Sequence, residues 1–239
     1  MNDWLTWNGE RSTDMGVYVI QQPPITIPEE RVEFDTVKGR SGTLPRTEGD
    51  AIYSDMILPA ECFIRGPARV PSAIAWLRGS GNVEFANRPG GHYRARIVNQ
   101  IELERVLAGN PHRRFTVNFR CQPGWIHDGV TTPDPITASG SQIVNPGTLP
   151  SLPRIEIRGS GTFSVTFGLQ TAWFENLTDG IILDSKLGDA LTLDGAALMN
   201  GNWGGPIIRL QPGISFVSWL VEDGAVESVT IAEPRWMSL

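Results

Sequence analysis

The chain has 239 residues, of which 26 are glycine, 18 are proline and 40% are hydrophobic. This composition supplies a folded core and many turns, and it excludes an intrinsically disordered chain. The net charge of -6 argues against a nucleic-acid-binding protein, because such proteins gather lysine and arginine to neutralise phosphates.

The N-terminal sequence MNDWLTWNGE has no basic segment followed by an apolar stretch, and no run of 18 apolar residues occurs. We therefore expect neither a cleaved signal peptide nor a membrane span, and a protein that is made and kept soluble. Cys62 and Cys121 are too few for a disulfide framework or a cysteine-rich metal site, and we expect both to be buried small hydrophobic residues.

Strands dominate the N-terminal half, because apolar and polar residues alternate with a period of two. The first such run, RVEFDTV, alternates Val32 and Phe34 with charged residues. Two further runs, HYRARIV and RFTVNFRC, predict strands whose inward side chains are Tyr93, Ala95 and Ile97, and Phe115, Val117, Phe119 and Cys121.

The segment GRSGTLPRTEGDAIY covers residues 39–53, and the predicted strands VEFDTV and AIYSDMIL flank its residues 39–50. It is too long for a tight turn and too polar to be core, which leaves a phosphate cradle, a catalytic lid or a binding arm as interpretations. Ser41 lacks the GxSxG pattern and has no identifiable base, so a nucleophile is not indicated.

One short helix interrupts the strands, at VPSAIAWLRGSG. Pro71 and Ser72 are typical of a helix start and Gly79 of a helix end, and the run between them is about two turns long.

Charge divides the chain into two halves. Residues 1–127 contain 15 Lys+Arg and 14 Asp+Glu, whereas residues 128–239 contain 5 and 12, which gives about +1 and -7. The junction is rich in Pro, Gly, Ser and Thr without periodicity. We therefore predict a domain boundary near Asp128, with domains at 1–127 and 128–239.

The C-terminal half has Asp-Gly pairs starting at residues 179, 194 and 223 and an Asn-Gly pair at residue 200, all of which favour two-residue hairpin turns. The runs FSVTF, GIILDS, LTLD, PIIRL and ISFVSWLV are short and apolar or alternating, as in an antiparallel sandwich. The predicted fold class is mainly all-β, with two β-sandwich domains.

No catalytic, cofactor or metal site is indicated by the sequence. His92, His112 and His127 do not have the spacing of metal ligands or of a catalytic triad. The GSGN and GSGT segments lack the phosphate-loop patterns, and the carboxylates Asp184, Asp189 and Asp194 belong to no glycosidase motif.

Trp203 is the tryptophan that the sequence places best for contact with a ligand. It lies beside Asn202 in NGNWGGP, where glycine and asparagine predict an exposed loop. An indole there could stack on a sugar ring or on a partner surface.

The order of several motifs resembles the distal tail protein family of long-tailed (siphovirus) bacteriophages. These motifs are WNGERSTDMGVYV, PEE followed by GRSGTL, AIAWLRGSGNVEFAN, HYRARI, FRCQPGW, NPGTLPSLPRIEIRGSGTFSV and VTIAEPRW. Each one is loose, and the resemblance lies in their succession over nearly the whole chain.

The resemblance implies a structural protein without enzymatic activity. Its N-terminal β-sandwich, with a short helix and a protruding hairpin, would form a six-subunit ring, and its C-terminal domain would be galectin-like. The ring would join the distal end of the tail tube to the baseplate or tail tip used in host adsorption, and DNA would pass through its lumen without specific binding. Implied partners are the tail tube protein and the hub, baseplate or receptor-binding proteins, in a virion assembled in the host cytoplasm.

Within this resemblance, residues 39–50 are expected to be the end of a hairpin arm that docks on a neighbouring subunit. The glycines would permit close approach of the backbone and the charged residues would fix the register. The candidate arm residues are Gly39, Arg40, Ser41, Gly42, Arg46 and Glu48. The candidates for the same contact or for the pore wall are Arg94, Arg96, Arg114 and Arg120.

Two alternatives remain open at this point, a carbohydrate-binding module that contacts the host surface and a tail-associated cell-wall hydrolase. True galectins bind sugar with a histidine, and no histidine follows His127. This departure favours a C-terminal domain that is a platform for baseplate proteins, or an accessory module that contacts the cell surface weakly.

Overall fold

The computed structural model describes residues 4–47, 52–105, 109, 111–129 and 133–239. The chain divides into unit 1, residues 1–128 with Leu239, and unit 2, residues 129–238. Both units are built mainly of antiparallel strands, so the predicted all-β class is confirmed. Among the described residues, no helix is long and apolar enough to span a membrane.

Unit 1 contains one antiparallel sheet and a separate hairpin. Its described strands are β1 (Leu5–Trp7), β2 (Glu10–Arg11), β3 (Val17–Gln21), β4 (Val32–Thr36), β5 (Thr43–Thr47), β6 (Met56–Ile64), β7 (Ser80–Phe85), β8 (Arg88–Ile97), β9 (Glu104–Arg105), β10 (Arg113–Cys121) and β11 (Trp125–His127). The main sheet has the order β2-β1-β7-β8-β10-β6-β3, while β4 pairs with β5 alone.

The core of unit 1 lies against one face of this sheet. Alternation in β10 buries the four side chains predicted to face inward, from Phe115 to Cys121, which confirms that strand. Trp7 packs against Phe119 with ring centroids 5.4 Å apart. Cys62 and Cys121 are free and buried, and burial raises the pKa of both thiols to about 12, so they behave as the small hydrophobic residues expected.

The predicted helix is confirmed as α1 (Val70–Trp76), which follows a 3₁₀ turn at Pro67–Arg69. Proline in the first helical turn removes an N–H that would have no partner in the helix. Trp76 is buried, and its indole N–H donates to the Trp7 carbonyl over 3.3 Å, which attaches the helix to the core.

The hairpin of β4 and β5 differs from the sequence prediction in its second strand. That strand is β5, which lies within the segment expected to be the end of the hairpin, and not AIYSDMIL. Phe34, which alternates with charged residues in the sequence, is 65% exposed. Period-two alternation assigns side chains to faces of a strand, but it does not say that a third element covers either face.

Unit 2 is organised around two long paired strands. The strands are β12 (Ser141–Asn145), β13 (Arg154–Phe167), β14 (Gln170–Leu177), β15 (Gly180–Asp184), β16 (Asp189–Leu191), β17 (Trp203–Gly204), β18 (Gly213–Glu233) and β19 (Met237–Ser238). The sheet order is β12-β18-β13-β14-β17, and β15 also pairs with β13. A 3₁₀ turn covers Asn200–Asn202.

One of the four predicted hairpin turns is a turn in the structure. At residues 194–195, Gly195 N–H donates to the Thr192 carbonyl over 2.8 Å. The other three predictions are wrong. Residues 179–180 join β14 to β15, but these two strands pair with successive parts of β13 and not with each other. Residues 200–201 lie in the 3₁₀ turn, and residues 223–224 lie inside β18.

Gly224 is required by a close contact between strands. It has a φ of 85°, and a Cβ there would lie 2.0 Å from the Ser160 carbonyl oxygen. The facing Gly161 would bring a Cβ within 2.2 Å of the Asp223 carbonyl oxygen. The register between β13 and β18 shifts nearby, so the Asp-Gly pair marks an irregularity in a continuous ladder and not a chain reversal.

Two predicted strands of unit 2 are also wrong. In PIIRL, the backbone of Arg209 is bonded by the side chain of Gln170, whose Nε2 donates to the Arg209 carbonyl over 2.7 Å and whose Oε1 accepts from the Arg209 N–H over 3.0 Å. A side chain therefore takes the place of a neighbouring strand, although Ile208 and Leu210 are buried. In LTLD, Leu191 alone belongs to a strand.

A buried ion pair fixes the C-terminal end of unit 2. Arg235 donates to both oxygens of the Asp184 carboxylate over 2.7 and 2.9 Å, and to Glu233 over 2.8 Å. Asp184 is 4% exposed, and its hydrogen bonds with Arg235 lower the pKa of its carboxyl. This pair holds the segment that carries the buried Trp236 against the end of β15.

Replacing Gly224 by Ala is expected to destabilise unit 2 far more than replacing Gly213 by Ala. Both glycines have φ near 85°, but a Cβ at Gly213 would meet nothing within 4 Å. Gly213→Ala should therefore cost about 1–2 kcal/mol for left-handed backbone, and Gly224→Ala about 1–3 kcal/mol more because β13 must move. Urea unfolding of both variants measures the difference, and equal costs would contradict the close-contact argument.

The ion pair predicts loss of stability in acid. Because the folded pKa of Asp184 is depressed, its contribution is present above the unfolded pKa and is lost as the pH falls through the folded pKa. Asp184→Asn should cost about 2–3 kcal/mol at pH 7, less than a fully buried pair because Glu233 still binds Arg235. As the pH falls below about 4, the difference in unfolding free energy between the wild type and Asp184→Asn should shrink. An unchanged difference in acid, measured by urea unfolding, would contradict the assignment.

Candidate functional site

The hairpin of β4 and β5, with its connecting residues 37–42, forms an arm with two different faces. Residues directly opposite each other in an antiparallel pair lie on the same face. Phe34 pairs with Pro45, so one face is apolar. Glu33 pairs with Arg46, and Asp35 pairs with Leu44, so the other face carries most of the charge.

The arm is uncovered along its length. Every residue from 33 to 46 is exposed, including Phe34 at 65%, Val37 at 45% and Leu44 at 37%. The segment that leads into the arm also exposes Ile25 and Ile27. An isolated two-stranded hairpin is marginally stable in water, and exposed apolar patches mark surfaces that bind a partner.

The arm residues predicted from sequence lie at its tip and on its second strand. Gly39 and Gly42 both have φ of 82° with open space around them, so they serve the turn. Arg40 and Ser41 lie between them and are exposed. Arg46 is on β5, and Glu48 lies outside the described residues. Their role in a subunit contact stays a prediction.

The four predicted arginines lie on the face of the main sheet that turns away from the core, which we call the arginine face. Arg94 and Arg96 are on β8, and Arg114 and Arg120 are on β10. All four are exposed. The alternation that buries the core side chains of these strands puts the arginines on the opposite face, where a partner can reach them.

Two of these arginines are neutralised within the chain. Arg114 contacts Glu61 over 2.6 Å and Arg120 contacts Asp55 over 2.8 Å. Within the part of the chain that the structure describes, Arg94 and Arg96 have no carboxylate partner.

A groove of about 560 Å³ runs over this face. It is lined by polar side chains that include Ser80, Asn82, Arg94, Arg96, Arg120 and Gln122. Arg96 lies directly opposite Arg120 in the ladder, and like charges in that position repel each other. The lining contains three arginines and one carboxylate, that of Asp55, so the groove keeps a net positive charge that favours a bound anion.

Trp203 does not lie in an exposed loop, so that expectation is wrong. It is partly buried in β17 and packs against the core of unit 2, and Asn202 donates to the Glu175 carbonyl over 3.0 Å. A Cβ at Gly204 would lie 2.3 Å from the indole nitrogen of Trp173, so this glycine serves close packing and not loop flexibility.

Trp173 is the more exposed of the two indoles, at 51%. The sequence carries a signal for this, because Ala172 and Phe174 on either side of it are buried and alternation turns Trp173 outward.

The residues considered for catalysis have other contacts. His92 lies 2.7 Å from Asp128, and His127 contacts the Trp125 ring. Asp189 accepts from Asn200 over 3.0 Å, while Asp184 binds Arg235 and Asp194 stabilises a turn. Among the described residues, no group of three His, Cys, Asp or Glu side chains is placed to hold a metal ion.

Comparison with known proteins gives matches in structure. No protein-family model matches the chain, and no curated protein sequence matches it. The solved structures that match include the SPP1 Dit (gp 19.1) protein, which is described as a paradigm of the hub adsorption apparatus in phages that infect Gram-positive hosts. The TM-score is 0.74 at 15% identity, over 95% of this chain and 96% of that one.

A second match is the baseplate of phage p2 in its activated, strontium-containing conformation. The TM-score is 0.44 at 9% identity, over 92% and 91% of the two chains, and we draw no conclusion from it. The first match shows that this chain has the fold of a phage tail-hub protein along nearly its whole length. The resemblance predicted from the sequence is confirmed at the level of fold.

The two tryptophans should differ in their effect on stability. Trp203→Ala removes a ring that packs against the core of unit 2, and it should cost about 2–4 kcal/mol. Trp173→Ala removes a half-exposed ring and should cost less than about 1.5 kcal/mol. Urea unfolding separates the two, and a larger cost for Trp173→Ala would contradict the assignment of the buried indole.

Proposed function

We propose that this protein is a distal tail protein, the structural hub at the end of a long phage tail. The proposal is supported by the likeness in fold to the SPP1 hub protein over nearly the whole chain. In this role unit 1 forms a ring of copies of itself, most simply a hexamer, that joins the tail tube to the baseplate or tail tip. The work is mechanical connection and not bond making.

The observation that carries the proposal is the uncovered arm. Unit 1 has a complete core of its own, yet its hairpin exposes Phe34, Val37 and Leu44. A closed ring requires that one face of a subunit binds a different face of the next, and an arm that projects from one side supplies such an asymmetric contact. The apolar face of the arm would then be buried only after assembly.

The same assembly would let DNA pass through the lumen without specific binding. The N-terminal half carries a net charge of about +1, and two of the four arginines on the arginine face are paired with carboxylates. Such a surface provides few free cations to hold phosphates.

We further propose that unit 2 is a platform for hub, baseplate or receptor-binding proteins. The carbohydrate-binding alternative rested on an exposed Trp203, and the partly buried position of that residue removes this support. The protein would be assembled in the host cytoplasm and would reside in the virion at the tail tip.

Native mass spectrometry and light scattering test the assembly directly. The wild-type chain of 26.2 kDa is expected to form a closed oligomer. Phe34→Asp should abolish it, because the charge would lie on the apolar face of the arm and be buried unpaired in the interface. Leu169→Asp is the matched control, since Leu169 is fully exposed in unit 2 and should not affect assembly. A wild-type monomer at high micromolar concentration would refute the proposed function.

A further inference from the structure

We propose that Arg94 and Arg96 receive the arm of a second copy of this chain, by pairing with its Glu33 and Asp35. The inference rests on the proposed function in one respect, namely that copies assemble through the arm. It adds the surface that accepts the arm and the charges that set its register.

The receiving side has two cations that the chain itself leaves unpaired. Arg94 and Arg96 are exposed on β8 and have no carboxylate partner among the described residues. Their neighbours on β7, Asn82 and Ser80, are small and polar and leave the groove open above the strands. Repulsion between Arg96 and Arg120 makes an incoming carboxylate favourable at this place.

The arm carries two anions with matching properties. Glu33 and Asp35 are exposed, and neither has a hydrogen bond or an ion pair with another described residue. They are two residues apart on β4 and therefore lie on one face of the arm. That face is opposite to the one that carries Phe34 and Pro45, so the charges and the apolar surface can contact different elements of a partner.

The spacing of the two pairs agrees. A strand rises about 3.3 Å per residue, so side chains at positions i and i+2 are separated by about 6.6 Å. This holds for Arg94 and Arg96 on β8 and equally for Glu33 and Asp35 on β4. Two parallel charge-assisted contacts of equal spacing fix a strand in register. A shift by one residue would present the opposite face of β4 to the groove.

The charge balance favours a protein carboxylate over a nucleic-acid backbone. Of the four arginines on this face, Arg114 and Arg120 have partners, which leaves two cations for two carboxylates. A surface that tracks DNA would present a longer row of unpaired cations. The groove is therefore assigned to the carboxylates of the arm and not to nucleic-acid phosphates.

Reciprocal charge exchange tests the pairing. Variant A carries Arg94→Glu/Arg96→Glu. Variant B carries Glu33→Arg/Asp35→Arg together with Arg46→Glu, which keeps opposite charges across the hairpin because Arg46 faces Glu33. Each variant alone should raise the concentration for half assembly at least tenfold by native mass spectrometry and light scattering. A chain with all five substitutions should assemble like the wild type.

Mixing the two variants gives a sharper result. The arm of A fits the groove of B and the arm of B fits the groove of A, whereas neither variant fits itself. Equimolar A and B should therefore form oligomers in which the two chains alternate, and their masses identify the composition. Lys186→Glu/Arg158→Glu, in unit 2, changes the net charge as much as variant A does and should leave assembly unchanged.

The outcomes separate this inference from the proposed function. If the wild type assembles but variant A assembles equally well, the arginine pair is not the receiving surface and the inference is overturned. Failure of the five-substitution chain and of the mixture, with variant A monomeric, would also overturn it. If variant A assembles normally while the wild-type oligomer alone retards single-stranded DNA, the groove binds phosphate and the inference falls. A monomeric wild type refutes the proposed function itself.

Discussion

The structure depends on one constraint, which is that a two-stranded hairpin cannot cover its own apolar face. Each main sheet of this chain folds over a core, but β4 and β5 pair with each other alone and leave Phe34 in water. Burying such a ring stabilises a protein by about 1.5–3 kcal/mol. The free subunit forgoes that gain, and a neighbouring molecule can supply it. The uncovered apolar face of β4 and β5 thus favours the assembly that we propose.

The two units meet this constraint differently. The sheet of unit 2 is built around two very long strands, β13 and β18. Glycine at 161 and 224 lets these strands stay paired through an irregularity. The Arg235–Asp184 pair then holds the C-terminal end. Unit 1 has a complete core but keeps one pair of strands outside it. Unit 1 therefore presents an uncovered pair of strands for the association that we propose.

Alternation predicted strands β8 and β10, because burial on one face gives the sequence a period of two. Helix α1 was predicted from the proline and serine at its start and the glycine after its end. Alternation also placed the four arginines on the exposed face. Three of the four glycine-turn predictions failed, since glycine is required equally by close contacts between strands, which depend on residues far away in sequence. Trp203 was misplaced for the same reason. The groove on the arginine face could not be found from sequence, because the pairing of Arg114 and Arg120 with Glu61 and Asp55 is a property of the folded sheet.

The burial of the two thiols has a consequence for their reactivity. Oxidation and disulfide exchange proceed through the thiolate, and burial raises the pKa of Cys62 and Cys121 to about 12. Almost no thiolate exists at neutral pH, and both sulfur atoms are closed off from solvent. Dissolved oxygen and peroxide therefore find no reactive thiol on the surface. Both cysteines are therefore protected from oxidation and from cross-linking to another chain.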